Sequence, residues 1–265
     1  MIFCLIEYIT GIEFLLISVF KLGFGYKIFN KGKIGCKIVA FALSGISRLT
    51  IWNVAVLSTL RYLIVCHRKE LKLWTWLTIS ALVFTPIVVI YCLGFYTDDA
   101  SPAPSYLFCQ TFVQPSEISI ALGYLIPFLY ILPCWITTFC YFGVGWKANK
   151  QLNLMKIDAK TNSDQSLLKT IQRQRLKLYI QLIFVFFIYN VNFSVSYITW
   201  IMKLITGYKR PAIVDAIIAI QVNSTVAINP VVTIIFQPDI NCEFKIIWVK
   251  WRLKLKSLVK RVGLN

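Results

Sequence analysis

The amino-acid sequence predicts an all-α membrane protein, with six transmembrane helices followed by a basic amphipathic helix, on three observations. The 265-residue chain is 58% hydrophobic and only 15% charged, whereas soluble domains run nearer half and a quarter. The apolar excess falls in continuous aliphatic runs long enough to cross a bilayer, not in short alternating stretches. Backbone in lipid must satisfy its own hydrogen bonds, which leaves helices or a closed barrel, and unbroken runs select helices.

The six spans are placed at 2–21, 34–66, 73–96, 118–146, 178–204 and 212–236. The first carries Glu7 and Glu13 and lacks the basic flank and small-residue cleavage site of a secretory leader, so it reads as a membrane segment. Connection 67–71 is short and basic. Connection 97–117 holds three prolines and three acids without a Lys or Arg, and 147–177 is polar with eight Lys/Arg. Lys and Arg are retained on the cytoplasmic side. Placing 67–72, 147–177 and the tail inside puts eighteen of them there and eight in the opposite loops, with both termini inside. Lys21, Lys27, Lys31, Lys33 and Lys37 run against that trend.

Beyond the last span, Gln237-Pro238-Asp239 marks a break. Phe244, Trp248, Trp251, Leu255, Leu258 and Val262 then share one helical face, with Lys250, Lys254 and Arg261 on another. That pattern fits a helix lying in the membrane interface, or a soluble amphipathic helix. The organisation is therefore a bundle over 1–240 and a tail helix over 241–265.

A formal charge of +17 could point to nucleic acid, but the basic residues flank apolar runs and no soluble basic domain exists. Their partners are read as lipid headgroups and an intracellular protein. Eight cysteines contain no CxxC pair and His67 is the sole histidine, which excludes an ordinary zinc site. With no Gly-rich phosphate loop either, no enzyme and no cofactor are expected. Most cysteines read as small buried apolar residues. Cys66 and Cys242 near the inner surface could be palmitoylated or remain plain thiols.

A set of spaced landmarks resembles the rhodopsin-like (class A) G-protein-coupled receptors. Cys36 opens the second span and Arg61-Tyr62 follows twenty-five residues on, resembling the third-helix disulfide cysteine and D/E-R-Y motif of that family. Trp76 and Pro86 resemble its fourth-helix pair, Pro133 and Tyr141 its fifth-helix pair, and Asn229-Pro230 the start of N-P-x-x-Y. The resemblance runs from the family's second helix onward, so the chain is expected to show six of seven helices. Leu60 replaces the motif acid and Thr233 the motif tyrosine. Phe184–Asn192 lacks the tryptophan-x-proline hinge, and the sodium-site aspartate has no counterpart near Ile9.

The resemblance implies a Cys36–Cys109 disulfide at the outer rim; two unpaired thiols are the alternative. It also implies a G-protein-coupling switch built from Arg61, Tyr62, Tyr141, Asn229 and Pro230, although an arginine at this depth can also simply snorkel. Leu43 stands where aminergic receptors carry their aspartate and Asn223 where opsins carry the retinal lysine, so neither a cationic amine nor a Schiff base is expected. Arg48 is a candidate anchor for an anionic or polar ligand, or else pairs internally with Glu13 or Glu7. Asn53, Asn190 and Asn192 are expected to hydrogen-bond between helices. The function so implied is transduction of an extracellular ligand signal to a heterotrimeric G protein at the plasma membrane. A six-span transporter or channel, and a non-signalling remnant, are the other readings.

Overall fold

The structure is a computed structural model that describes residues 2–25, 34–69, 71–96, 100–112, 117–236 and 238–261, apart from the side chains of 2–7, 226, 229–230, 232–240 and 255–261. It divides into two compact units, Met1–Val226 and Ala227–Asn265.

The first unit is a helical bundle. Helix α1 spans Ile2–Phe24. Helix α2 runs Ile34–His67, with a π-helical stretch at Phe41–Ile46, and stops where Arg68 turns left-handed. Helix α3 is Leu73–Tyr96. Two-residue strands β1 (Ser101–Pro102) and β2 (Cys109–Gln110) pair antiparallel, Ser101 against Gln110 and Pro102 against Cys109. Helix α4 is Glu117–Thr161, and helix α5 is Gln165–Thr206 with a π-helical stretch at Phe187–Val191. Gly207 adopts φ 67°, the left-handed conformation that ends a helix. Helix α6 is Ala212–Phe236, of which the part up to Val226 belongs to this unit.

Sequence reasoning calls for six spans. Among the described residues four helical segments are long and apolar enough to cross a membrane: Ile34–His67, Leu73–Tyr96, Glu117–Thr161 and Gln165–Thr206. Ala212–Thr225 is a shorter apolar helix. Six spans are therefore not confirmed, and four are found among the described residues. The terminal segments Ile2–Phe24 and Ala212–Phe236 are also helical. The outer faces expose large apolar side chains such as Leu82, Phe128 and Trp135, a surface suited to lipid rather than water. The chain is a helical membrane protein.

The polar stretch 147–177 is not a loop. Helices α4 and α5 run through it and meet at a three-residue turn, 162–164. At 1.5 Å per residue, α4 alone is about 68 Å long, more than twice the hydrocarbon thickness. Ala159 and Ile171 are buried in this extension. Asp164 caps α5, its carboxylate accepting from the backbone N–H groups of Ser166 and Leu167, both at 3.0 Å.

Helix α2 packs most extensively against α4. Trp52 Nε1 donates to Leu129 O at 3.1 Å across that interface. Asn190 Nδ2 donates to Thr138 Oγ1 at 2.8 Å and Asn192 Nδ2 to Thr225 Oγ1 at 3.2 Å, so both asparagines bond between helices. The second unit contains helix α7 (Pro238–Arg261), on which Phe244 and Trp248 stack one turn apart.

Candidate functional site

Two features lie at opposite ends of α2. Twenty-five residues of helix separate Cys36 from Arg61, about 37 Å of rise.

At the first end the β1–β2 hairpin is fastened over the bundle. Cys36 and Cys109 form a disulfide with Cα atoms 5.6 Å apart. Their sulfurs sit in a small buried cluster with Ala40 and Ala100. A second fastening comes from Asp215 in the first turn of α6, which is fully buried. Its Oδ2 accepts from Ser105 Oγ at 2.5 Å and Ser105 N at 3.3 Å, and its Oδ1 accepts from Gln110 Nε2 at 3.5 Å. Arg210 Nη1 lies 3.5 Å from Oδ1. Burial lowers the Arg210 guanidinium pKa from its usual value, and the Asp215 carboxylate opposes that shift.

Beneath the hairpin lies a cavity of about 280 Å³. Leu107, Phe108, Gln110 and Thr111 of the hairpin roof it, and residues from α1 to α6 complete its wall. Leu43, Arg48 and Asn223, the three candidate ligand residues, all line it. Leu43 belongs to the π-helical stretch of α2; the extra residue per turn there widens the helix where it faces the cavity. Arg48 is 8% exposed. Its guanidinium carbon lies 3.5 Å from the Tyr130 ring centroid and 5.9 Å from that of Tyr91, and its Nη1 donates to Ser47 Oγ at 3.1 Å. It has no ion pair with Glu13; the Glu7 side chain lies outside the described residues.

At the other end Arg61 and Tyr62 are half-buried near the end of α2. Arg61 Nη1 donates to Tyr141 Oη on α4 at 3.0 Å. Tyr62 packs against Phe139 and His67, with ring centroids 5.5 and 5.3 Å apart. Gly143 has to be glycine for this ring to fit, because a Cβ there would collide with it. The site thus brings Arg61, Tyr62 and Tyr141 together, while the side chains of Asn229 and Pro230 lie outside the described residues.

Sequence reasoning missed Lys21, Arg210 and Asp215 at the cavity. Lys21 Nζ donates to Leu107 O in the roof. The available signal was weak: an acid in the first turn of an apolar helix, five residues after an arginine. It also missed the aromatic side chains Tyr91, Tyr130 and Trp200, which read as ordinary apolar residues of spans. Trp200 Nε1 donates to Gly123 O at 3.0 Å, which turns its ring toward Arg210 and Lys203, at 5.6 and 4.8 Å.

No protein-family model matches the chain and no curated sequence does. Among solved structures it is similar to the crystal structure of squid rhodopsin, with a TM-score of 0.57 and 13% identity over 82% of this chain. The chain spans 65% of the length of that protein. At this identity the likeness is one of fold, and it gives the helical bundle a rhodopsin-like architecture.

Proposed function

We propose that this chain is a G-protein-coupled receptor of the rhodopsin-like class. In this reading the cavity under the hairpin opens to the cell exterior and takes a ligand. The end bearing Arg61 faces the cytosol and engages a heterotrimeric G protein. The bundle occupies 1–240 in the plasma membrane, and 241–265 forms a cytoplasmic in-plane helix.

The single observation that carries this reading is the placement of two devices on one helix. Helix α2 contributes Arg48 and Leu43 to the cavity and, four to five turns on, Arg61 to a charge-assisted bond with Tyr141. A helix with both features couples them mechanically, since a shift at one end moves the other. The basic helical extension over 147–177 is on the Arg61 side and adds positive charge where an intracellular partner would dock.

The test is guanine-nucleotide exchange. The full chain, reconstituted in nanodiscs with purified G-protein heterotrimers of each subtype, is expected to raise exchange above empty discs for at least one subtype. Arg61→Ala should remove that increment while the helical content stays the same. Exchange equal to empty discs for every subtype overturns the reading.

A further inference from the structure

The cavity is electrically one-sided. Among the described residues its wall holds three cationic side chains, Lys21, Arg48 and Arg210, and no carboxylate. Arg210 is matched from behind the wall by Asp215, and Lys21 is spent on the Leu107 carbonyl of the roof. Arg48 is in a different position. It is more than nine-tenths buried, and among the described residues it has no carboxylate beside it and its buried Nε has no hydrogen-bond partner. The Tyr130 face offsets part of its charge, yet a ring cannot accept the Nε–H in the plane of the fork.

A buried guanidinium without a counter-ion is destabilising unless something supplies the missing anion. Within a membrane bundle such groups mark places where ligands or ions bind. The rest of the wall is apolar or aromatic, through Phe14, Ile17, Tyr91, Ile126 and Trp200. A volume of about 280 Å³ suits a small molecule, at the lower end of ligand pockets.

We propose that the cavity takes an anionic amphiphile: a single carboxylate or phosphate head held by Arg48, with an apolar body lying on the aromatic wall. Cationic ligands are repelled from the same wall. The inference deepens the receptor reading by naming the ligand class, and it is tested by binding alone, so that the two stand or fall separately.

The full chain in neutral phosphatidylcholine nanodiscs is titrated with a tritiated decanoate probe, with empty discs as the baseline, and unlabelled compounds are used as competitors. Decanoate or decyl phosphate should displace the probe, and methyl decanoate and decyltrimethylammonium should not; whichever of the first two competes better identifies the head group. Arg48→Gln should weaken probe binding tenfold or more, and Arg48→Lys less. Ser47→Asp provides an independent variant, because it places an internal carboxylate beside Arg48 and keeps the buried charge paired; it should also abolish binding. Equal displacement by the acid, its ester and the cation overturns the proposal, as does undiminished probe binding in Ser47→Asp or in folded Arg48→Gln. Probe binding without nucleotide exchange removes the receptor reading and leaves the anion site. Exchange driven by a cationic or neutral compound, with no probe binding, does the reverse.

Discussion

Arg61 on α2 donates to the Tyr141 hydroxyl on α4 at 3.0 Å, and the residue before that arginine is the apolar Leu60. The bond joins the two most extensively packed helices at the end away from the disulfide. A bond from a charged donor contributes about 1.5 kcal/mol. If it holds the exchange-competent state, Tyr141→Phe should lower basal nucleotide exchange about tenfold. Leu60→Asp should lower it too, by offering the guanidinium a competing carboxylate. Basal exchange unchanged in both variants would show that this bond does not set the activity.

The Cys36–Cys109 bridge closes a loop over a sequence separation of 73 residues. Removing such a link destabilises by about 2–5 kcal/mol, and the lower end applies here because the helices within the loop already restrict the unfolded chain. Cys36→Ser and Cys109→Ser should each lower the melting temperature in nanodiscs. The double variant should lower it no further than one single variant, since both remove the same bond. Additive losses would mean that the two thiols stabilise separately.

Much of the architecture was legible because hydropathy and spacing act along one axis. The rise of a helix fixes how far apart Cys36 and Arg61 must lie, and apolar runs mark α2, α3 and the buried parts of α4 and α5. The helical continuation over 147–177 was not legible, because a solvated helix beyond the membrane is polar on most of its surface and reads as loop. The π-helical stretches at Phe41–Ile46 and Phe187–Val191 have no residue signature, and the second falls within the proline-free segment Phe184–Asn192. Arg48 was found because a charge inside an apolar run stands out. Lys21 and Arg210 were missed because cations at the ends of spans are common, and only the tertiary fold brings them to the cavity wall.

Asp164 offers a pH-dependent test of the α4–α5 extension. Hydrogen bonds from the Leu167 and Ser166 backbone and the Ser166 hydroxyl hold its carboxyl below the usual carboxylate value. A group whose pKa is depressed on folding contributes stability that is fully present above its unfolded pKa, near 3.8, and is lost as pH falls through the folded value. Protection of the Ser166 and Leu167 amides from hydrogen exchange should therefore hold constant from neutral pH down to about 4 and decline below it. Asp164→Asn keeps a capping oxygen and should abolish the decline. Asp164→Ala should fray the first turn of α5 at every pH. A wild-type decline that begins above pH 5 would assign it to another group.

Asp215 ties the hairpin to α6 through Ser105 and Gln110 while neutralising Arg210. Truncating one partner of a buried ion pair costs about 3–5 kcal/mol because the other charge is left behind. Arg210 lies in a connection outside the helices and can swing toward water, so Asp215→Ala is expected to cost about 3 kcal/mol. Replacing both charges, as in Arg210→Met with Asp215→Leu, should recover most of that loss. The hairpin separates the two contributions. Amides of residues 100–112 should exchange faster in Asp215→Ala and also in the double variant, because Ser105 and Gln110 lose their acceptor in both. Ser105→Ala should reproduce part of this loosening with the ion pair intact. Unchanged exchange in the hairpin of Asp215→Ala would mean that the disulfide and the Lys21–Leu107 bond hold the roof of the cavity in place without Asp215.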